Sequence, residues 1–133
     1  MSDSKNIGSL AEKLACGFLI QNGYKIIERN FRNKIGEIDI VALKPKSFFQ
    51  LLTRKVLSSS RIIFVEVKAQ SGIRFGLAEE RINYFKQNKL KQLAQSYLKE
   101  KNLFNRSFRI DAIRVDFSCN PAKIKHIESA IAD

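Results

Sequence analysis

Acidic residues are scarce in this chain. Across 133 residues, 13 Asp and Glu stand against 24 Lys and Arg, giving a formal net charge of +11 and a pI near 9.9. A basic chain of this size is expected to meet a polyanion, nucleic acid first and an anionic membrane surface second. Cysteine is nearly absent. Cys16 and Cys119 stand alone without metal-ligand spacing, which argues against a disulfide framework or a thiolate metal site. No apolar run approaches the 20 or so residues of a membrane-spanning helix, and Met1-Ser2-Asp3-Ser4-Lys5 is no signal segment, so a cytoplasmic protein with no membrane partner is expected. Neither repeats nor an interdomain linker appear. The length suits one domain over residues 1–133 with a single core.

What the chain does have is a pair of short β-branched strands that carry acids where buried strands normally carry valine. The first is Ile35-Gly36-Glu37-Ile38-Asp39-Ile40-Val41, the second Ile62-Ile63-Phe64-Val65-Glu66-Val67-Lys68. Side chains alternate along a strand, so Glu66 and Lys68 share a face, roughly 6.6 Å apart. If the two strands pair antiparallel, about 4.8 Å apart, Asp39 can approach Glu66 on that face. Carboxylates that close need a cation, and Mg2+ with one or two carboxylates is the simplest. Gly36 signals a bulge or a close backbone approach before the acid.

Around this pair, residues 6–21 have helical periodicity, with Leu10, Leu14 and Phe18 on one line and Ala11, Ala15 and Leu19 on the next; Asn22-Gly23 stops the helix. Glu12 falls inside the apolar arc. It is read either as a functional acid or as the end of a capping box, Ser9-Leu10-Ala11-Glu12. Residues 24–31 form a strand. An insertion at about 44–61 is far longer than a hairpin loop and contains the apolar Phe48-Phe49-Gln50-Leu51-Leu52. Residues 69–77 read as a loop at the mouth of the site. A helix over 78–101 follows, with Leu90, Leu93, Ala94, Tyr97 and Leu98 as its apolar stripe and several lysines on its other faces. Residues 108–117 form a strand carrying Arg109 and Asp111, where Asp111 is expected to satisfy Arg109 or a backbone group. Residues 124–128 form an edge strand on which His126, the only histidine, reads as a surface residue. This order of elements implies an α/β domain.

Asp39 followed by Glu66-Val67-Lys68 fits the PD-(D/E)xK nuclease pattern. Further segments are more specific: Ala11-Glu12-Lys13-Leu14-Ala15, Gly23-Tyr24, Arg29-Asn30, Gly36-Glu37-Ile38-Asp39, Phe75-Gly76, Lys86, Arg109-Ile110-Asp111 and Ile127-Glu128. In this order they resemble the YraN family of small bacterial proteins, similar to archaeal Holliday junction resolvases. The resemblance spans nearly the whole chain. The long insertion departs from it, as does Gln70, where a basic residue is usual.

The resemblance implies a restriction-endonuclease-like (tRNA-endonuclease-like) three-layer fold, a mixed sheet of about five strands flanked by helices. It also implies a metal-dependent endonuclease acting on DNA in preference to RNA, branched or non-duplex DNA in particular. Asp39, Glu66 and the backbone carbonyl of Val67 would hold Mg2+ (or Mn2+), with Glu12 in support, and Lys68 would orient or deprotonate the attacking water. Glu37 is an outer-shell candidate. Lys86, Lys89 and Arg74 are the candidate nucleic-acid contacts, and a homodimer is open. Two other classes stay open: a non-catalytic basic nucleic-acid-binding module that keeps the fold, and an adaptor at a membrane surface or ribosome.

Overall fold

The computed structural model describes residues 2–45, 60–70 and 84–131, without the side chains of residues 2–5 and 84. Arg74, Phe75-Gly76 and the apolar stretch from Phe48 to Leu52 lie outside the described residues.

Helix α1 (Ser2–Gln21) leads into the hairpin β1 (Lys25–Arg32) and β2 (Glu37–Lys44). Strand β3 (Arg61–Gln70), helix α2 (Tyr84–Glu100), β4 (Phe108–Asp116) and β5 (Lys123–Ile127) follow. The five strands lie in the order β1-β2-β3-β4-β5, antiparallel except for the parallel β3–β4 pair. The fold is therefore α/β, a five-stranded mixed sheet between two helices, as a three-layer nuclease-like architecture requires.

Alternation on β3 explains the layers. Ile62 and Phe64 pack with Leu90, Leu93 and Tyr97 of α2, while Ile63 and Val65 pack with Ala11, Ala15 and Leu19 of α1. A strand covered on both faces must be apolar at every position, which is why residues 62–65 read as an unbroken hydrophobic run. The same alternation carries Glu66 and Lys68 on along the α2 face.

Both helices end in the same way. The Tyr24 N–H donates to the Leu19 carbonyl at 2.9 Å and the Gly23 N–H to the Ile20 carbonyl at 3.1 Å, with Gly23 at φ +87°. This is the Schellman arrangement, in which a left-handed residue lets the last carbonyls find donors. At the end of α2, Leu103 and Asn102 bond Leu98 and Lys99 equivalently, with Asn102 at φ +57°. Asn tolerates this backbone better than other side chains do.

Four expectations need correction. Because α1 starts at Ser2, the Ser9–Glu12 segment lies within the helix, and the first-turn N–H groups that a capping box satisfies are not there. Leu10 is 46% exposed, since the buried arc runs through Ala11, Ala15, Cys16 and Leu19. β3 continues to Gln70, held by parallel pairing with β4, so the loop begins later than Ala69. β2 begins at Glu37 and not at Ile35, after a turn in which the Asn33 side-chain oxygen accepts the Ile35 N–H at 2.8 Å.

Candidate functional site

Strand pairing brings the two acids together. The β2–β3 ladder ends at Ile40 and Val65, and Asp39 and Glu66 are the next residues past that end on their two strands. Val41 and Leu43 face α2, so by alternation Asp39 does too, on the same side as Glu66. Beyond the apolar cluster, the two carboxylates enter a pocket of about 490 Å³ between the start of β2, the end of β3 and the first turns of α2. Glu37, Lys86 and Lys89 line it with them.

Asp39 is only partly accessible. Its Oδ2 accepts the backbone N–H of Val67 at 2.8 Å. Burial pushes its carboxyl up to about 7; the Val67 hydrogen bond opposes that rise, and the charges of Glu66, Glu12 and Glu37 add to it. Three neighbouring carboxylates thus act on one buried acid, and their repulsion adds to the cost that burial already imposes on its charge.

Glu66 is matched differently. Lys86 of α2 forms an ion pair with its Oε1, and the Glu66 side chain is 16% exposed. Glu12 reaches from the α1 side and lies 3.9 Å from Arg29 of β1. Glu37 pairs with Arg32 at 3.0 Å. Lys68 is exposed two residues beyond Glu66 on the same face and does not line the pocket. Lys89 approaches Gly36 so closely that a Cβ there would lie 2.9 Å from its Cε and 3.4 Å from Leu93 Cδ1. Gly36 is thus the close approach its position suggested, and it lets α2 press on the hairpin turn. Asn33 fixes that turn from the other side, donating from Nδ2 to Ser96 of α2 at 2.8 Å.

Of the residues expected at the site, Asp39 and Glu66 share the pocket with Lys86 and Lys89. Val67 contributes its N–H to Asp39, while its side chain packs on the α1 face. Glu12 acts from the α1 side, Lys68 stands outside the pocket, and Arg74 lies outside the described residues. Lys86 sat in the sequence as one lysine among several on a helix; its pairing with Glu66 comes from the approach of α2 to the end of β3, which no local spacing encodes. No group of three His, Cys, Asp or Glu able to hold a metal ion occurs among the described residues. The donor set is a carboxylate pair. It still suits Mg2+, which takes one or two carboxylates and completes its shell with water and substrate phosphate.

A second polar centre lies around Asp111. Asp111, fully buried, accepts Arg109 Nε at 2.7 Å and Nη2 at 2.8 Å, the Ser129 N–H at 3.0 Å, and lies 2.8 Å from His126 Nε2. Arg109 also donates to the Tyr24 hydroxyl at 2.9 Å. Burial raises the Asp111 carboxyl, but the bonds from His126, Arg109 and Ser129 outweigh it and hold it below the usual range. Asp111 serves Arg109 as expected. His126 is not a surface residue, because its ring packs edge-on against Phe18 and Tyr24 and its side chain is 12% exposed.

Residues 11–115 match the family described as "Uncharacterised protein family UPF0102". A UPF0102 protein of Desulforamulus reducens is 41% identical over 130 residues, 96% of each chain. This chain belongs to the UPF0102 family. Another UPF0102 protein, from Caldanaerobacter subterraneus subsp. tengcongensis, is 38% identical over 92% of this chain and 87% of its own. One from Clostridium botulinum strain 657 is 42% identical over 84% and 80%. UPF0102 is the same family as the YraN resemblance drawn from the motifs. No helix among the described residues of this UPF0102 protein is long and apolar enough to cross a membrane.

Proposed function

We propose that this UPF0102 protein is a divalent-metal-dependent endonuclease whose reacting centre is the Asp39–Glu66 pair, with branched or non-duplex DNA as substrate. One observation carries the reading: two carboxylates face each other across neighbouring strands in a lysine-lined pocket, and the more buried one is pushed up to about 7. Structural acids are normally arranged to avoid such crowding, and strongly shifted groups in clefts concentrate at functional sites.

Asp39, Glu66 and the Val67 carbonyl would hold the ion, and Glu12 would add negative charge from the α1 side. When bound, Mg2+ or Mn2+ supplies Lewis acidity toward the phosphodiester and the attacking water. Lys68, on the face of Glu66 and just outside the pocket, would orient that water or take its proton from the edge of the site. Lys86 and Lys89 hold phosphate oxygens as point charges. The Val67 N–H fixes the Asp39 carboxylate, so its lone pairs are aimed before any ligand arrives.

The test is calorimetric titration with Mn2+ and Ca2+. Binding is expected to the unaltered protein and to be lost in Asp39→Ala and Glu66→Ala; equal binding by those variants removes the site. A second reading, a binding module without turnover, is favoured by the lack, among the described residues, of a group of three side chains able to hold a metal ion. The presence or absence of metal-dependent cleavage separates the two.

A further inference from the structure

A second pocket, about 510 Å³, opens at the other end of the α2 face. α2, the start of β3 and the segment entering β4 form it. Arg61, Lys91, Arg106 and Arg109 line it, with no acid among its described lining residues, over an apolar floor that includes Phe108 and Ile131. Arg109 is neutralised by Asp111. Arg106 is held in place, its Nη2 donating to the Ser60 carbonyl at 2.9 Å. Arg61 is exposed at the mouth. A cavity of this size, with fixed guanidinium groups above an apolar floor, has the chemistry of a nucleotide site: charge for phosphate and a surface for a base.

We propose that this pocket binds one nucleotide of the same nucleic-acid strand that enters the Asp39–Glu66 pocket, with its phosphate against Arg61, Lys91 and Arg106. The inference rests on the nucleic-acid reading above. The two pockets flank one helix. The linings overlap along α2, and their outermost residues on it, Lys86 at the first and Gln95 at the second, are nine residues apart, about 14 Å at 1.5 Å per residue. Glu66 and Arg61 are five residues apart on β3, about 17 Å. For a strand stacked with the duplex rise of about 3.4 Å per nucleotide, the gap is four to five nucleotides. A bound strand would thus be gripped on one side of the acids and positioned for cutting near one end.

The experiment is fluorescence anisotropy with labelled single strands of 3 to 12 nucleotides, in Ca2+ so that nothing is cut. Affinity is expected to step up by about tenfold as the length passes roughly six nucleotides, when both pockets can be reached. The Arg61→Ala/Lys91→Ala double variant should lose the step, and Arg61→Glu alone, at an exposed position, should reduce it. Thermal melts of each variant verify folding. Affinity that rises smoothly with length, or a step that survives in the folded double variant, overturns the proposal. Mg2+ arms keep the two readings apart: cutting without the step refutes only the second pocket, and the step without cutting refutes only the nuclease.

Discussion

Asp39 Oδ2 accepts the Val67 N–H at 2.8 Å, a side chain of β2 bonded to the backbone of β3 just past the end of their ladder. The bond orients Asp39 without neutralising it, and the carboxyl remains pushed up to about 7 by burial and by its acidic neighbours. A group whose pKa is raised by folding favours the folded state below its unfolded pKa, and that contribution is lost as pH rises through the folded value. Metal-free protein should therefore lose stability as pH rises from about 4 to about 7, with no further loss from this group above that. Asp39→Asn should flatten that loss and melt higher than the unaltered protein at pH 8, as thermal unfolding from about pH 4 to pH 8 would record. A larger loss in the Asn variant would contradict the assignment.

Lys86 supplies the counter-charge of Glu66. Removing it leaves the acid pair more negative, so Lys86→Ala should tighten Mn2+ binding by up to about fivefold, in keeping with the ~1 kcal/mol of a half-exposed pair. DNA affinity in the same variant should fall. Calorimetry on the variant reads the first effect and anisotropy the second; weaker Mn2+ binding would mean that Lys86 organises the site instead of competing for it.

In the proposed mechanism Lys68 acts in the transition state. Lys68→Ala should lower cleavage at least a hundredfold while Ca2+-dependent DNA binding stays within about twofold. A parallel loss of both would make it a phosphate anchor.

Asp111 carries the opposite kind of role. Its removal strands Arg109 and His126 in a half-buried setting, so Asp111→Ala should cost about 3–5 kcal/mol of unfolding free energy in a denaturant titration. A change below 1 kcal/mol would show that the network is dispensable.

The fold was readable because its signals are local. The β3 run of Ile62 to Val65, the α2 stripe of Leu90, Leu93, Ala94, Tyr97 and Leu98, and the Asn22-Gly23 stop each follow from a period or a turn preference of neighbouring residues. Relationships between distant elements were less legible. The approach of Asp39 to Glu66 could be anticipated only by assuming that their strands pair, and Lys86 met Glu66 through a helix angle that no spacing encodes. His126 was misjudged because alternation on an edge strand does not reveal the Phe18 and Tyr24 rings brought to it by α1 and its cap. Leu10 was misplaced for a similar reason, as α1 crosses the sheet with the Ala11–Ala15 side down.

The central claim is that the Asp39–Glu66 pair cuts nucleic acid. Its most direct measurement is cleavage of a labelled panel of duplex, single strand, flap, four-way junction and structured RNA, with and without Mg2+, beside the Asp39→Ala and Glu66→Ala variants. The account predicts Mg2+-dependent cutting of a branched or non-duplex DNA near its discontinuity, abolished in both variants. Binding without cutting across the whole panel, or cutting that persists in Asp39→Ala, would contradict it.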